Sequence, residues 1–293
     1  MKKLAIIIVN YNTKDILRDC LRNLEYFVTP HQVIVVDNAS KDGSADMVEA
    51  EFEGVDLIRA TNKGLASGYN LGMTRATDVG YYLFLGTDAF PKPGCIEGVV
   101  DFMEAHHEVG IATAKLVLRS GLLDMDAHRG FPTPWTALTH LIGLDRLFPK
   151  SSVFNKYFLG WSDMEKPHEI DLCISHFMMV KKEVFEKVGG WDEDFFVYGE
   201  DVDLCWRVKQ AGFKIFYLPQ FECLHYKGAS VGTRKESADV TKADSATKLR
   251  MKTETTRAMH LFYKKHMYKK YPWILNKLVE LGIGVMEKVR TKS

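Results

Sequence analysis

The chain has 293 residues, 46% of them hydrophobic and 26% charged, which is ordinary globular composition with ample apolar material for one large domain or two small ones. A net charge of +1 gives no global argument for a nucleic-acid partner. The five cysteines (Cys20, Cys95, Cys173, Cys205, Cys223) are odd in number and form no CxxC pair, so they read as buried thiols of a reducing compartment.

The apolar run Leu4 to Val9 breaks at Asn10-Tyr11-Asn12, too soon for a signal peptide or a membrane span, and no other segment reaches spanning length. The expectation is a soluble, cytoplasmic body. Leu4–Val9 reads as a doubly covered strand, followed by a helix with Ile16, Leu17, Leu21 and Leu24 on one face. Strands are expected at 33–36, 55–58 and 81–85, with helices at 44–52 and 65–75, an alternation that signals βαβ units on a parallel sheet. Residues 120–168 are rich in Trp, Phe, Pro and His without a period, and read as a substrate-facing insertion. Patterning resumes with a long strand at 170–181, a helix at 182–188, a helix opening in the acidic segment 195–203 and ending at Ala211, and a strand at 213–218. The Ser/Thr/Lys/Ala-rich stretch 228–246 reads as a mobile loop.

Polar residues sit past the carboxyl ends of successive strands: Asn10 and Asn12, Asp37 and Asn38, Asn62, and Asp88. In open α/β sheets that edge binds ligands. Asp37, in Asp-Asn-Ala-Ser-Lys-Asp-Gly-Ser, can accept from a base or ribose, or can merely cap the next helix. The Gly-rich entry from Asn62 and Gly64 to Asn70 and Gly72 can face phosphates, or can serve close packing. Asp88 is a carboxylate placed for a hard divalent cation, and His225 is the candidate second ligand. Glu200, Asp201 and Asp203 crowd a helix start among Phe, Tyr and Trp; desolvation and mutual repulsion there raise a carboxyl pKa toward that of a useful general base.

Taken in order from residue 4 to 232, these segments resemble the family 2 glycosyltransferases of the GT-A fold, in their rhamnosyltransferase-like branch. The resemblance rests on Ile-Val-Asn-Tyr-Asn, Val-Val-Asp-Asn-Ala-Ser, Asn62 to Gly72, Asp88, Gly189-Gly190-Trp191-Asp192, Tyr198-Gly199-Glu200-Asp201-Val202-Asp203, and His225 to Ser230. It implies an α/β fold, a Rossmann-like nucleotide-binding half (1–118) and an acceptor-binding half (119–232) on a mixed sheet; beyond it the sequence itself reads as a mobile loop or linker at 233–256 and C-terminal helices at 257–293. It implies a hexosyltransferase moving a sugar, from dTDP-rhamnose or a UDP-hexose, to a glycan or lipid-linked hydroxyl with inversion, in cell-surface polysaccharide synthesis. Donor contacts are then expected along Val9, Asn10, Tyr11, Asp37, Asn62, Gly64, Asn70, Thr87 and Asp88. Asp88 and His225 are the expected ligands of Mg2+ or Mn2+, and Asp201 is the base within the Glu200-Asp201-Val202-Asp203 catalytic segment. One departure stands out: Gly86 replaces the first Asp of the family's DxD element. The rival readings are a degenerate scaffold, or a nucleotide-sugar-binding protein that transfers nothing.

Residues 257–293 carry nine Lys/Arg against two Glu. Tyr263 to Trp273 interleaves bases with aromatics, and Ile274, Leu278, Leu281, Val285 and Val289 line one helical face. Two readings stand level: a helix lying on the inner face of a membrane, or one packed on the catalytic domain.

Overall fold

The computed structural model describes residues 4–28, 31–229, 232 and 245–292. In chain order the elements of the first half are β1 (Leu4–Asn10), α1 (Lys14–Leu24), β2 (His31–Asp37), α2 (Ser44–Glu51), β3 (Val55–Arg59), α3 (Leu65–Arg75), β4 (Tyr81–Leu85), β5 (Ala89–Pro91), α4 (Cys95–Ala105) and β6 (Val109–Leu118). There follow α5 (Pro134–Leu141), α6 (Leu144–Leu147), β7 (His168–Ile170), β8 (Phe177–Lys181), α7 (Lys182–Val188), α8 (Glu200–Gln210), β9 (Lys214–His225), α9 (Ser245–Phe262) and α10 (Trp273–Lys292). A π turn at Tyr263–Met267 and a 3-10 turn at Tyr268–Lys270 join the last two helices.

The strands form one mixed sheet in the order β3-β2-β1-β4-β8-β6-β9-β5, with β7 laid on β9. The first four strands in space are mutually parallel, as βαβ crossovers require. β8 then enters antiparallel between β4 and β6, so a single sheet runs through both expected halves. Two apolar layers cover it, one around Leu17, Val99 and Phe177, the other around Ile7, Phe84 and Tyr217. Each draws on residues from either side of position 118.

Three expectations need correction. The long strand at 170–181 is two, β7 and β8, because Leu172 exchanges backbone hydrogen bonds with Arg129 and leaves the sheet between them. The strand expected to stop at Leu218 continues to His225. Pro219 falls in a register slip, where Ala114 faces Leu218 but Lys115 faces Glu222, and a bulge tolerates the missing donor. The linker at 233–256 is also shorter than expected: Ser245 onward is α9, a stretch without Gly or Pro whose Ala258 and Phe262 pack on Phe195. Residues 233–244, with Ser230 and most of the expected loop, lie outside the described residues.

Candidate active site

Asp88 leaves the end of β4 through Gly86-Thr87, and β5 begins at once with Ala89. Ala89 pairs with His225, the last residue of β9, and the Tyr226 N–H donates to the Asp88 carbonyl at 2.8 Å. The pairing sets His225 Nε2 3.9 Å from Asp88 Oδ1, both residues essentially buried. A ladder, and no loop, fixes that spacing.

His225 is oriented from behind. Its Nδ1 lies 2.8 Å from Asp124 Oδ2, and the Lys227 ammonium donates to Asp124 Oδ1 at 2.6 Å. Burial works against the Asp124 charge, yet these hydrogen bonds hold its carboxyl well below the usual range. The proton on Nδ1 therefore points at Asp124 and the Nε2 lone pair faces Asp88, the carboxylate–imidazole arrangement found behind metal-binding histidines. His225 Nε2 is buried without a hydrogen-bond partner among the described residues. A second ring, His176, stands just before β8 with its Nε2 3.6 Å from Asp88 Oδ1 and its centroid 4.4 Å from that of His225. Burial and the neighbouring His225 push the His176 imidazole down to about 4, so it is neutral near pH 7. Ligand atoms of Asp88, His176 and His225 all lie within 4.8 Å of one another. One carboxylate and two imidazoles, one of them with its buried Nε2 orphaned, converge on one point and fit a divalent cation.

Several of the residues expected on the donor side form a polar chain leading to this point. Asp37 accepts from Asn10 Nδ2 at 2.8 Å and from the Ser40 N–H at 2.9 Å. Thr13 donates to Asn10 Oδ1 at 2.6 Å and lies 3.3 Å from the hydroxyl of Thr87, next to Asp88. Asp37 closes its own turn and does not cap α2, whose first cap is Gly43. Tyr11 stands half exposed beside the chain and Val9 is partly buried. Asn62 accepts from the Gly64 N–H at 3.1 Å.

Gly64 and Asn70, expected as donor contacts, also have packing roles. Gly64 has φ +103°, and a Cβ there would lie 2.4 Å from the Phe196 carbonyl oxygen, which already accepts the first N–H of α3 from Leu65. Gly72 gives the same closeness against Ile7. Asn70 exchanges hydrogen bonds with both backbone groups of Trp191 and donates to Glu193. Here the packing reading holds: α3 and the segment before α8 are locked together.

The three acids of α8 separate cleanly. Gly199, at φ +83°, turns the chain so that Glu200 and Asp201 enter buried. Burial and the Asp201 charge push the Glu200 carboxyl up to about 8. Burial also raises Asp201, but the Arg129 guanidinium and the Val202 N–H, 2.8 Å from Oδ1, oppose the shift. Asp203, expected in the catalytic segment, is engaged on the side of the C-terminal helices. Its oxygens are taken by Arg207 Nε at 2.7 Å and His266 Nε2 at 2.6 Å, and it ties α8 to the C-terminal turn. The buried Tyr69 is hydrogen-bonded to Ser175 and is felt by the charges of Glu200, Asp201 and Asp88 alike.

Sequence reasoning missed His176, Asp124, Lys227 and Arg129. Asp124-Met125-Asp126 does carry an Asp-x-Asp spacing, but in a stretch without periodicity. Nothing in the sequence signals His176, since only the β4–β8 register brings it opposite Gly86.

The model of the glycosyl transferase family 2 domain matches residues 5–189, and that of an N-terminal domain of galactosyltransferase matches residues 155–228. The chain is 26% identical over 230 residues to the rhamnosyltransferase WbbL of Escherichia coli, covering 75% of this chain and 82% of that one. It is 26% identical to the N-acetylglucosaminyl-diphospho-decaprenol L-rhamnosyltransferase of Mycobacterium tuberculosis, covering 78% of each. Among solved structures, the mannosyltransferase PcManGT of Pyrobaculum calidifontis, in complex with GDP-Man and Mn2+, shares the fold with a TM-score of 0.55 at 16% identity, covering 99% of this chain and 83% of that one. TarS of S. aureus in complex with UDP does so with a TM-score of 0.52 at 14% identity, covering 89% and 72%. The fold is that of the GT-A glycosyltransferases, and the chain belongs to glycosyl transferase family 2.

Proposed function

We propose that the chain is an inverting, metal-assisted hexosyltransferase. Its donor is dTDP-L-rhamnose, with a UDP-hexose as the second choice, and its acceptor is a hydroxyl of a lipid-linked glycan in cell-surface polysaccharide synthesis. The names of its relatives supply the sugar and the lipid: a decaprenol-linked rhamnosyltransferase and a dTDP-rhamnosyl transferase of Shigella flexneri, the latter 25% identical. One observation carries the chemistry: a carboxylate–imidazole cradle closes one end of a polar chain from Asp37 to Thr87, and the charges of Asp88 and of the two buried acids Glu200 and Asp201 all reach Tyr69.

Asp88 and His225 would hold Mg2+ or Mn2+, which would supply positive charge against a departing diphosphate. Asp37 and the exposed Tyr11 receive the nucleoside, by hydrogen bond and by ring contact. Asp201 takes the proton of the acceptor hydroxyl as that oxygen attacks the anomeric carbon. Arg129 opposes the burial that raises Asp201, while Glu200, pushed up to about 8, stands protonated beside it. A single base suffices, since inversion needs no covalent sugar–enzyme intermediate. The test is turnover of dTDP-rhamnose and of UDP-hexoses with a polyprenyl-diphosphate-linked acceptor, with and without EDTA. Turnover of neither donor class overturns the reading; full turnover in EDTA removes the metal from it.

The tail belongs to the same proposal. Asn276 is buried on Tyr263, and Ile283 is buried too, so α10 packs through one side. Trp273, Ile274, Leu278, Leu281, Val285 and Val289 are each more than half exposed, which leaves the apolar stripe of α10 outside the protein core. No described helix is long and apolar enough to cross a membrane. With nine cations among residues 257–293, an anionic lipid surface is the occupant that suits this stripe. Leu278→Glu/Leu281→Glu should abolish co-sedimentation with phosphatidylglycerol vesicles. Unchanged sedimentation, or loss of a dimer in its place, refutes lipid as the occupant.

A further inference from the structure

Gly86 stands where the family's first metal carboxylate is expected, yet its backbone does not need glycine: its φ lies outside the left-handed region. What it needs is space. A Cβ built on Gly86 would lie 2.7 Å from Cδ2 and 3.2 Å from Cγ of His176, and 3.0 Å from Asp88 Oδ1. Leu85 pairs with Phe177 at the last rung of β4 and β8, and the Gly86 N–H donates to the His176 carbonyl at 3.1 Å one step further on. The two positions therefore face each other across the open end of the ladder. The ring of one occupies the volume that a side chain on the other would fill.

We infer that His176 replaces the missing carboxylate as third protein ligand of the cation, so that the site is one carboxylate and two imidazoles, and that Gly86 is bare in order to admit it. The inference rests on the metal reading proposed above and adds its ligand set. Two consequences follow from donor chemistry. The site carries one fewer negative charge than a two-carboxylate site and so binds hard Mg2+ less well. Imidazole nitrogen favours borderline cations, so the preference moves toward Mn2+ and the metals after it in the divalent series. His176 also lies beside Ser175, the hydrogen-bond partner of Tyr69, which joins the metal end of the site to the acid end.

Direct binding of Mn2+ to the full chain with UDP present, followed by titration calorimetry and by pulsed EPR, tests the inference. The wild type should bind Mn2+ at least roughly tenfold more tightly than Mg2+, with two directly coordinated 14N nuclei. His176→Ala should retain one 14N and lose roughly 10- to 100-fold in Mn2+ affinity, the range expected for loss of a ligand-shell contact. Gly86→Asp alone should bind poorly, since its side chain meets the His176 ring. Gly86→Asp/His176→Ala should recover binding with one 14N and a preference moved back toward Mg2+. Circular dichroism checks that each variant is folded; if His176→Ala is not, His176→Asn, which keeps much of the volume, is read in its place. Equal affinity and two 14N in the His176 variant overturn the inference while leaving the Asp88–His225 site standing. Absence of Mn2+ binding in the wild type, and in His225→Ala alike, overturns both.

Discussion

Removing the charge of Asp203 should cost stability and not chemistry. The carboxylate is 1% exposed and makes two hydrogen bonds, an ion-paired one to Arg207 on its own helix and one to His266 in the turn after α9. Asp203→Asn leaves the Arg207 guanidinium facing a neutral amide. Breaking a buried pair costs about 3–5 kcal/mol, and the lower end applies here because Arg207 still donates to the Val188 carbonyl and its side chain is 22% exposed. At roughly 2 °C per kcal/mol for a chain of this size, a loss near 3 kcal/mol lowers Tm by about 6 °C. Because Asp203 is held below its usual range in the folded chain, its contribution is complete above the ordinary carboxylate pKa and fades as pH falls through the lowered value. The Tm gap between wild type and variant should therefore persist from pH 5 to 8 and close in acid. Scanning fluorimetry across that range, with donor turnover measured at a temperature where both proteins are folded, separates the roles. A variant of unchanged Tm that no longer turns over donor would return Asp203 to the catalytic group and refute the reasoning.

Asp201→Asn should behave in the opposite way, with Tm within about 1 °C of wild type and kcat lower by roughly 10^2- to 10^4-fold while UDP still binds, as calorimetry can check. Glu200 prefers its neutral form when folded, with its pKa raised from 4.5 to about 8, so its contribution is complete below 4.5 and is lost as pH rises toward 8. Urea midpoints should fall over that window in the wild type and fall less in Glu200→Gln; parallel curves would contradict the burial argument. Gly64→Ala must strain a positive φ and push on the Phe196 carbonyl, and should cost roughly 2–5 kcal/mol in urea unfolding. Asn70→Ala removes three hydrogen bonds that hold Trp191 and Glu193, and should raise proteolytic cleavage near residue 190 before it lowers Tm.

The first half of the fold is legible because local pattern and tertiary demand agree there. Leu65–Arg75 and Tyr81–Leu85 coincide with their expected bounds, and β1 differs by one residue. Asp88 and His225 were readable as a pair from residue type, although 137 positions apart, but their meeting depends on β5, a three-residue strand too short to leave a pattern. His176 was invisible for a deeper reason. Periodicity reports which face of an element is apolar, whereas His176 gains its meaning from the residue across the ladder, and strand order is not written locally. Asp203 misled through proximity: positions 2 and 4 of a helix lie on opposite sides, so the 3.6-residue repeat sends Asp203 away from Asp201 and toward the tail. Gly64 and Gly72 could be read two ways, and close approach decided between them.

The same short helix that opens with Glu200 and Asp201 grips the C-terminal segment with Asp203 one turn later. Occupancy of the tail and placement of the acids are therefore thermodynamically linked, and linkage is reciprocal. Whatever steadies residues 263–292 steadies the first turn of α8 by the same free energy, and a substrate that orders that turn tightens the hold on the tail in return.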